Sequence, residues 1–558
     1  MKNIFIKSVA IAMLVAGCSK DLDLSPKDTM SDASFWKTAA DFKMGANTLY
    51  YSLDGFWFPD TESDIAYNVN NSVSNSTYQT SETNGDWNNA YYYIRCCNNI
   101  ITKAKDATLE QNVKVYSAEA KFFRAYSYWK LLKLFGGVPL ITEVLDIKSK
   151  ALYAPRASRK EIVDLIIQDL TDAAIDLPVR KSLSASDRGR VTKGAADALR
   201  ARVALFEGTW GKYHGDSNFN SYLDIAIEAS NSVMLSGQYA LFNAKGADSY
   251  RYLFIEEGDD SDEGILDRRY EKDIEGQVYP ALIQRSGYLP TKKLADMYLC
   301  TDGLPVTNSP LFQGYDTRTS EFLNRDPRMT MTMIIPGKSI GVVGYPTPIP
   351  NWPFYPQRVP NTGYIIYKYS SEDVYANTSG ESPNFKFDNH LIRYAEVLLI
   401  NAEATFERNG AISDADLDKT INLLRTRATM PTILTNAFVS ANGLEMRTEI
   451  RRERSIELAM EGFRYDDLRR WKTAETELSQ DLKGIKIVGS TWTDPILISG
   501  VNKNPYKKSS WQSKTDADGF IVIESGTGRT FEPNKHYLRP LPTKEILLNP
   551  KLEQNPNW

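Results

Sequence analysis

The sequence predicts a mainly α-helical protein made of successive helix pairs and interrupted by a long loop-rich region. Three observations lead there. Apolar residues recur at helical spacing in segments of about 15 to 20 residues. Small alanines occupy positions where paired helices would touch, and prolines crowd into one internal stretch.

Taken in order, Ala118–Leu134 carries Phe122, Ala125, Trp129 and Leu132 at +3, +4, +3, which lines one helical face. Gly136 and Gly137 stop that helix and Pro139 follows. Ser158–Leu177 is a second helix, with Ser158 and Glu161 spaced as a capping box and Pro178 closing it. Thr192–Gly208, rich in alanine, is a third, and a fourth runs from about Ser221 to Leu235. From about 238 to 388 glycine, proline, asparagine and tyrosine dominate. Pro346, Pro348, Pro350, Pro353, Pro356 and Pro360 forbid regular helix or sheet around them. Helices resume at Leu391, where Leu391, Ala395, Leu398, Ala402 and Phe406 keep the pattern up to Gly410. Asp414–Ala428 and Thr448–Trp471 follow, and beyond Gly484 the chain is loop-like to Trp558. Such pairs suggest helix-turn-helix units of the tetratricopeptide kind. No strict repeat of about 34 residues is present, so periodicity alone leaves an irregular helical globule as the alternative.

Composition narrows the function. The 558 residues carry 66 Lys+Arg against 70 Asp+Glu, a net charge of -4, which argues against a nucleic-acid binder. Only 3 His and 4 Cys are present, restricting metal and thiol chemistry. With Cys18 set aside, Cys96, Cys97 and Cys300 cannot form a complete disulfide framework. Tyrosine is abundant, 31 against 22 Phe, with 10 Trp. Such side chains offer a flat apolar face with a polar edge, suited to amphipathic ligands.

The N-terminus reads as an address. Lys2 and Lys7 precede an apolar run, Ser8 to Val15, of signal-peptide length and too short for a permanent span. Val15-Ala16-Gly17-Cys18 resembles the lipobox of bacterial lipoproteins, in which the cysteine becomes the acylated first residue. Residues 1–17 are therefore expected to be a lipoprotein signal peptide, with Cys18 the lipidation site. The acidic stretch after it, Ser19-Lys20-Asp21-Leu22-Asp23, looks like an export signal toward the outer face of the outer membrane.

Five further motifs, in chain order, resemble those of the SusD/RagB-type lipoproteins. They are Ala118–Tyr126 leading to Leu134-Phe135-Gly136-Gly137-Val138-Pro139-Leu140, and Asn324-Arg325-Asp326-Pro327-Arg328. Leu391–Leu399 with Asn401-Ala402-Glu403-Ala404 is the third, and Arg452-Glu453-Arg454 through Asp467-Leu468-Arg469-Arg470-Trp471 the fourth. Asn549-Pro550 to Gln554-Asn555-Pro556 is the last. The resemblance implies one unit over 18–558: a right-handed superhelix of four tetratricopeptide-like helix pairs with a large loop-rich ligand-binding region. Its helical parts would be about 87–237 and 390–471, the insertion about 238–388, and the irregular C-terminal region about 484–558. It also implies an outer-membrane protein, lipid-anchored and facing the exterior, that works as a lid on a SusC-type TonB-dependent transporter. Such proteins capture oligosaccharides, or peptides and other glycoconjugates, without chemistry on them.

The residues themselves weigh the same way. In Arg452–Trp471, Arg454 with Glu457 and Glu461 with Arg464 are spaced i,i+3, which reads as structural ion pairing and not as catalytic carboxylates. The acidic stretch Glu256–Glu263 lacks the spacing of a known calcium loop and reads as a solvated turn. His214, His390 and His536 are isolated in sequence, and no nucleophile elbow or phosphate-binding loop is present. The expectation is no catalytic residue, no metal and no cofactor; the competing classes are a glycosidase, needing only two carboxylates, and a purely structural helical-repeat scaffold. The ligand is expected at loop aromatics. Trp57 and Phe58, following Phe56 and beside Asp60, Asp64 and Asn68, offer stacking faces and hydroxyl partners. Trp352, Phe354, Tyr355 and Arg358, stiffened by prolines, offer a second set. Trp87, on a helix with Tyr91, Ile94 and Asn98, is a candidate contact, though its helical spacing favours core packing.

Overall fold

The computed structural model describes residues 35–56, 59–106, 112–285, 288–338, 361–371, 385–498, 500–502 and 504–558. Helix is its dominant element. The principal helices are α1 (Ala39–Asn47), α2 (Gly85–Asp106), α3 (Asn112–Phe135), α4 (Arg159–Asp176), α5 (Lys193–His214), α6 (Phe219–Leu235), α7 (Tyr394–Asn409), α8 (Met446–Glu457) and α9 (Arg464–Arg470). Strands are short and form two-stranded antiparallel ribbons, among them β1 (Gly264–Arg268) with β2 (Asn389–Arg393).

Local chemistry accounts for the helix boundaries. Ser158 Oγ accepts from the Glu161 amide at 3.2 Å while the Glu161 carboxylate accepts from the Ser158 amide at 2.7 Å, the reciprocal capping box that starts α4. Thr192 caps α5 one way only, its hydroxyl accepting from the Ala195 amide, since alanine has no side chain to return the bond. After α3, Gly136 adopts φ +77°, and a Cβ on Gly137 would lie 2.1 Å from the Ala157 carbonyl oxygen. That close approach lets the chain turn back along α4.

Successive helices pack on one another: α2 on α3, α3 on α4, α4 on α5, α5 on α6, and α6 on α7. The partners α6 and α7 are separated by the long loop-rich stretch, so the insertion emerges within one helix pair. α7 packs in turn on α8. Two cores result. One lies between the helices and includes Phe122, Trp129, Leu199 and Phe206. The other fills the loop-rich half and includes Tyr250, Tyr298, Met329, Tyr364 and Trp492.

Three expectations need correction. Leu391 to Arg393 belong to β2 and not to α7, because their backbone pairs with β1 before the helix begins. Thr448–Trp471 is not continuous: α8 ends at Glu457, Met460 (φ +65°) and Gly462 (φ +89°) turn the chain, and α9 starts at Arg464. Asp414–Ala428 likewise divides into Asp414–Asp418 and Ile421–Arg427. Apolar spacing continued across both breaks because each side buries its own face.

Candidate ligand site

The site is built where a loop meets the end of α8. Phe56 is held between Tyr279, stacked at 4.6 Å, and Tyr270, stacked at 5.7 Å, with Phe387 and Tyr369 edge-on. A few residues on, Asp60 accepts from the amides of Gly462 (3.0 Å) and Arg464 (3.1 Å). Burial raises its pKa to about 6 despite those two amides. Both oxygens of Asp64 are engaged by Arg464, each at 2.8 Å. An aromatic nest and an ionic staple thus fix the two ends of the segment containing Trp57 and Phe58.

Those two residues lie outside the described ones, as do Trp352, Phe354, Tyr355, Arg358 and Cys18. The other three candidates are described and do not converge. Asp64 is buried in its Arg464 pair, and the buried Asn68 turns its Oδ1 to the Asn70 amide at 2.8 Å. Trp87 is 3% exposed and packs on Tyr91 (5.0 Å) and Phe135 (5.4 Å). In this structure all three are buried, in an ion pair, a local hydrogen bond and aromatic packing respectively.

The ion pairs read from the sequence re-partner in three dimensions. Arg454 pairs with Asp467 at 2.9 Å, not with Glu457, and Arg464 pairs with Asp64, not with Glu461. Glu461 lies in the turn before α9 and shares no helical turn with Arg464; Arg454 and Glu457 do share α8, but both are buried and take charged partners from other segments. Glu457 instead receives Arg328 (2.9 Å), Arg393 (2.8 Å) and Arg427 (2.5 Å). Glu461 receives Arg393 and Lys368. Burial would raise the Glu457 carboxyl, but the three guanidiniums overcome it and hold it well below the carboxylate range. The acidic stretch is also spent on protein partners: Glu263 pairs with Arg393 and Arg427, Asp262 with Arg180, and Glu256 binds Ser371. Among the described residues no cluster of three or more His, Cys, Asp and Glu is arranged to hold a metal ion.

Sequence reasoning missed a cavity of about 530 Å³ next to Phe56. Its wall combines Trp129, Lys130 and Lys133 of α3, Arg202 and Phe206 of α5, Asn389 and His390 of β2, Phe463, Asp466 of α9 and Arg539. Tyr126, Trp129, Lys130 and Lys133 share one face of α3, the one signal available before folding. The rest come from segments hundreds of residues apart. At one edge His390 is no longer isolated. Its Nδ1 meets Asp267 at 2.7 Å and its Nε2 the Leu253 carbonyl at 2.9 Å. Asp388 stands beside it, with its backbone amide donating to Asp259 at 2.8 Å.

With this geometry in view, the comparisons with known proteins are consistent. The profile described as "SusD family" matches residues 267–558, and the one described as "Starch-binding associating with outer membrane" matches 26–205. The chain belongs to the SusD family, a carbohydrate-binding family associated with the outer membrane. A SusD-like protein of Formosa agariphila, P2, is 26% identical over 581 residues, covering 100% of this chain and 99% of the relative. The crystal structure of a SusD-like carbohydrate binding protein from Bacteroides fragilis superposes with a TM-score of 0.75 at 25% identity, covering 93% of this chain and all of that one. A laminarin-binding SusD-like protein shares the fold with a TM-score of 0.63 at 20% identity, over 94% of this chain and 100% of its own. The mainly helical SusD-like fold expected from the sequence is the one observed. Among the described residues no helix is long and apolar enough to cross a membrane.

Proposed function

We propose that this protein is a cell-surface lipoprotein that binds oligosaccharide or polysaccharide and delivers it to a SusC-type TonB-dependent transporter. The observation carrying the reading is the family match over the C-terminal half, supported by the aromatic pair Trp57 and Phe58 that follows Phe56 in the sequence. Ligand contact is assigned to Trp57, Phe58, Trp352, Phe354, Tyr355 and Arg358, with Asp64, Asn68 and Trp87 as the supporting frame. Aromatic faces stack on sugar CH surfaces. The protein binds without cleaving: the charges at the end of α8 are neutralised by salt bridges, and no reaction is assigned.

The test is a glycan array on the form lacking residues 1–18, followed by calorimetry. Trp57→Ala and Trp352→Ala should each weaken the best glycan at least tenfold while thermal unfolding is unchanged. Unaltered affinity in both removes the site assignment, and release of reducing ends from the bound glycan would make the protein a hydrolase.

Anchoring follows from Cys18. In cells fed labelled palmitate, the wild type should carry label in the outer-membrane fraction and Cys18→Ala should lose both. Two acyl chains hold a protein where one does not, at about 0.8 kcal/mol per buried methylene. A Cys18→Ala protein that stays labelled and membrane-bound would refute the lipobox reading.

A further inference from the structure

The connection between α3 and α4 holds apolar side chains out into solvent. Val144, Ile147, Leu152 and Tyr153 are all exposed there, Ile147 to 93%. Leu547, 82% exposed, and Leu548 end the short helix Thr543–Leu548, and the next residue, Asn549, donates through Nδ2 to the Ala154 carbonyl at 2.8 Å. That bond brings the two segments into one neighbourhood. The loop is pinned, so its apolar groups cannot fold inward: Asn98 of α2 donates to the carbonyls of Ile141 and Glu143, each at 3.1 Å, and Asp146 accepts from the Ser149 hydroxyl at 3.1 Å. Lys148, Lys150, Lys544 and Lys551 surround the patch, exposed and without an ion pair among the described residues. An apolar group of this kind, rimmed by free charge, marks a contact surface.

The start of the described chain indicates what covers it. Trp36 lies against α1, where a Cβ on Gly45 would meet its ring at 2.6 Å and Ile100 of α2 at 3.8 Å. Ile100 is two residues beyond Asn98, so the chain's entry and the apolar loop flank the same stretch of α2. Cys18, the expected acylation site, precedes Phe35 by about 17 residues, a reach of at most about 60 Å. The patch therefore stands within tether length of a bilayer. Exposed aliphatic side chains with a tyrosine and a rim of lysines suit the headgroup region, where amines meet phosphates and apolar groups sink beneath them.

We propose that this patch rests on the lipid surface, the α3–α4 loop and the 547–548 leucines entering the headgroup layer while the lysines meet anionic lipid phosphates. The proposal rests on the surface-lipoprotein reading and adds to it a second, non-covalent membrane contact. One tether alone leaves the body free to turn, and a second contact fixes which face points outward. The contact can be weak, because a tethered patch meets the surface at an effective concentration far above that of free protein.

Hydrogen exchange tests this on the form lacking residues 1–18, which keeps every described residue. An N-terminal polyhistidine tag replaces the acyl anchor and holds the protein on vesicles of phosphatidylethanolamine and phosphatidylglycerol that carry a nickel-chelating lipid. Amides in 144–153 and 543–549 should exchange at least threefold more slowly on the vesicles than in solution, while those around Leu235, an equally exposed leucine on α6, stay unchanged. The double variant Ile147→Asp with Leu547→Asp should lose the slowing, and Lys148→Glu with Lys544→Glu should at least halve it, with thermal unfolding unaltered in both because all four positions are exposed. No slowing in the wild type, or slowing unchanged in either variant, overturns the proposal. So does a dimer in sedimentation that the Ile147→Asp, Leu547→Asp variant abolishes, which would make the patch an interface between copies of this chain. The tag stands in for Cys18, so these outcomes are independent of the palmitate experiment: a failed patch leaves the lipid anchor standing, and a failed anchor shows in the labelling alone.

Discussion

Trp87 shows how a single side chain changes meaning between sequence and structure. As a tryptophan among tyrosines and asparagines it was a candidate sugar contact, with core packing the favoured reading, and it is 3% exposed and wedged against Tyr91 and Phe135. Removing it deletes a buried aromatic from the contact between α2 and α3. Trp87→Ala should lower stability by about 3–5 kcal/mol, read as a shift in the denaturant midpoint. A loss below about 1 kcal/mol, together with weakened glycan affinity, would return Trp87 to the ligand surface. Asp64 makes the same point through charge, since a carboxylate with both oxygens on a buried arginine has little left for a hydroxyl.

At the scale of elements, the ends of α8, β2 and the Arg328–Thr332 helix meet at Glu457. Its three arginines come from residues 328, 393 and 427, so one carboxylate ties together the loop-rich half, the insertion's exit strand and the helical layer. Glu457→Gln keeps the shape and removes the charge, leaving three guanidiniums buried around a neutral amide. Breaking a buried pair in this way costs about 3–5 kcal/mol. The expected result is a large fall in the thermal midpoint with secondary structure retained at low temperature. A variant as stable as wild type would mean that the arginines find compensation elsewhere. The breaks in the helices after Glu457 and before Ile421 belong to this scale too. Periodicity runs through them, while the dihedrals at Met460 and Gly462 do not.

For the whole molecule, the cluster joining β1, β2 and the 253–270 segment makes stability pH-dependent. His390 is raised to about 9 from 6.5, because Asp267 outweighs the burial that opposes its charge. Its contribution is complete below pH 6.5 and is lost as pH rises through 9. Burial, and then neighbouring carboxylates, raise Asp388 to about 7 and Asp259 to about 8 from 3.8. Their folded forms hold protons that the unfolded chain has released, so they too lose stability as pH rises from about 4 through 8. All three act in one direction. The thermal midpoint should fall between pH 6 and pH 9, and Asp388→Asn should flatten that slope. A midpoint that is flat or climbs over this range contradicts the assignment.

Much of the fold was legible before folding. Capping pairs such as Ser158 and Glu161, apolar faces such as Phe122 to Leu132, and ordered motifs are local, and local geometry follows from spacing. They identified the helices, the loop-rich middle and the family. The partners of buried charges, the role of Trp87, the company of His390 and the cavity beside Phe56 were decided only by tertiary structure. Each depends on groups brought together from distant segments, as residues 56, 130, 202, 389 and 466 are in one wall. Sequence spacing has no term for such meetings, and the energies that choose among them arise only when water has been excluded.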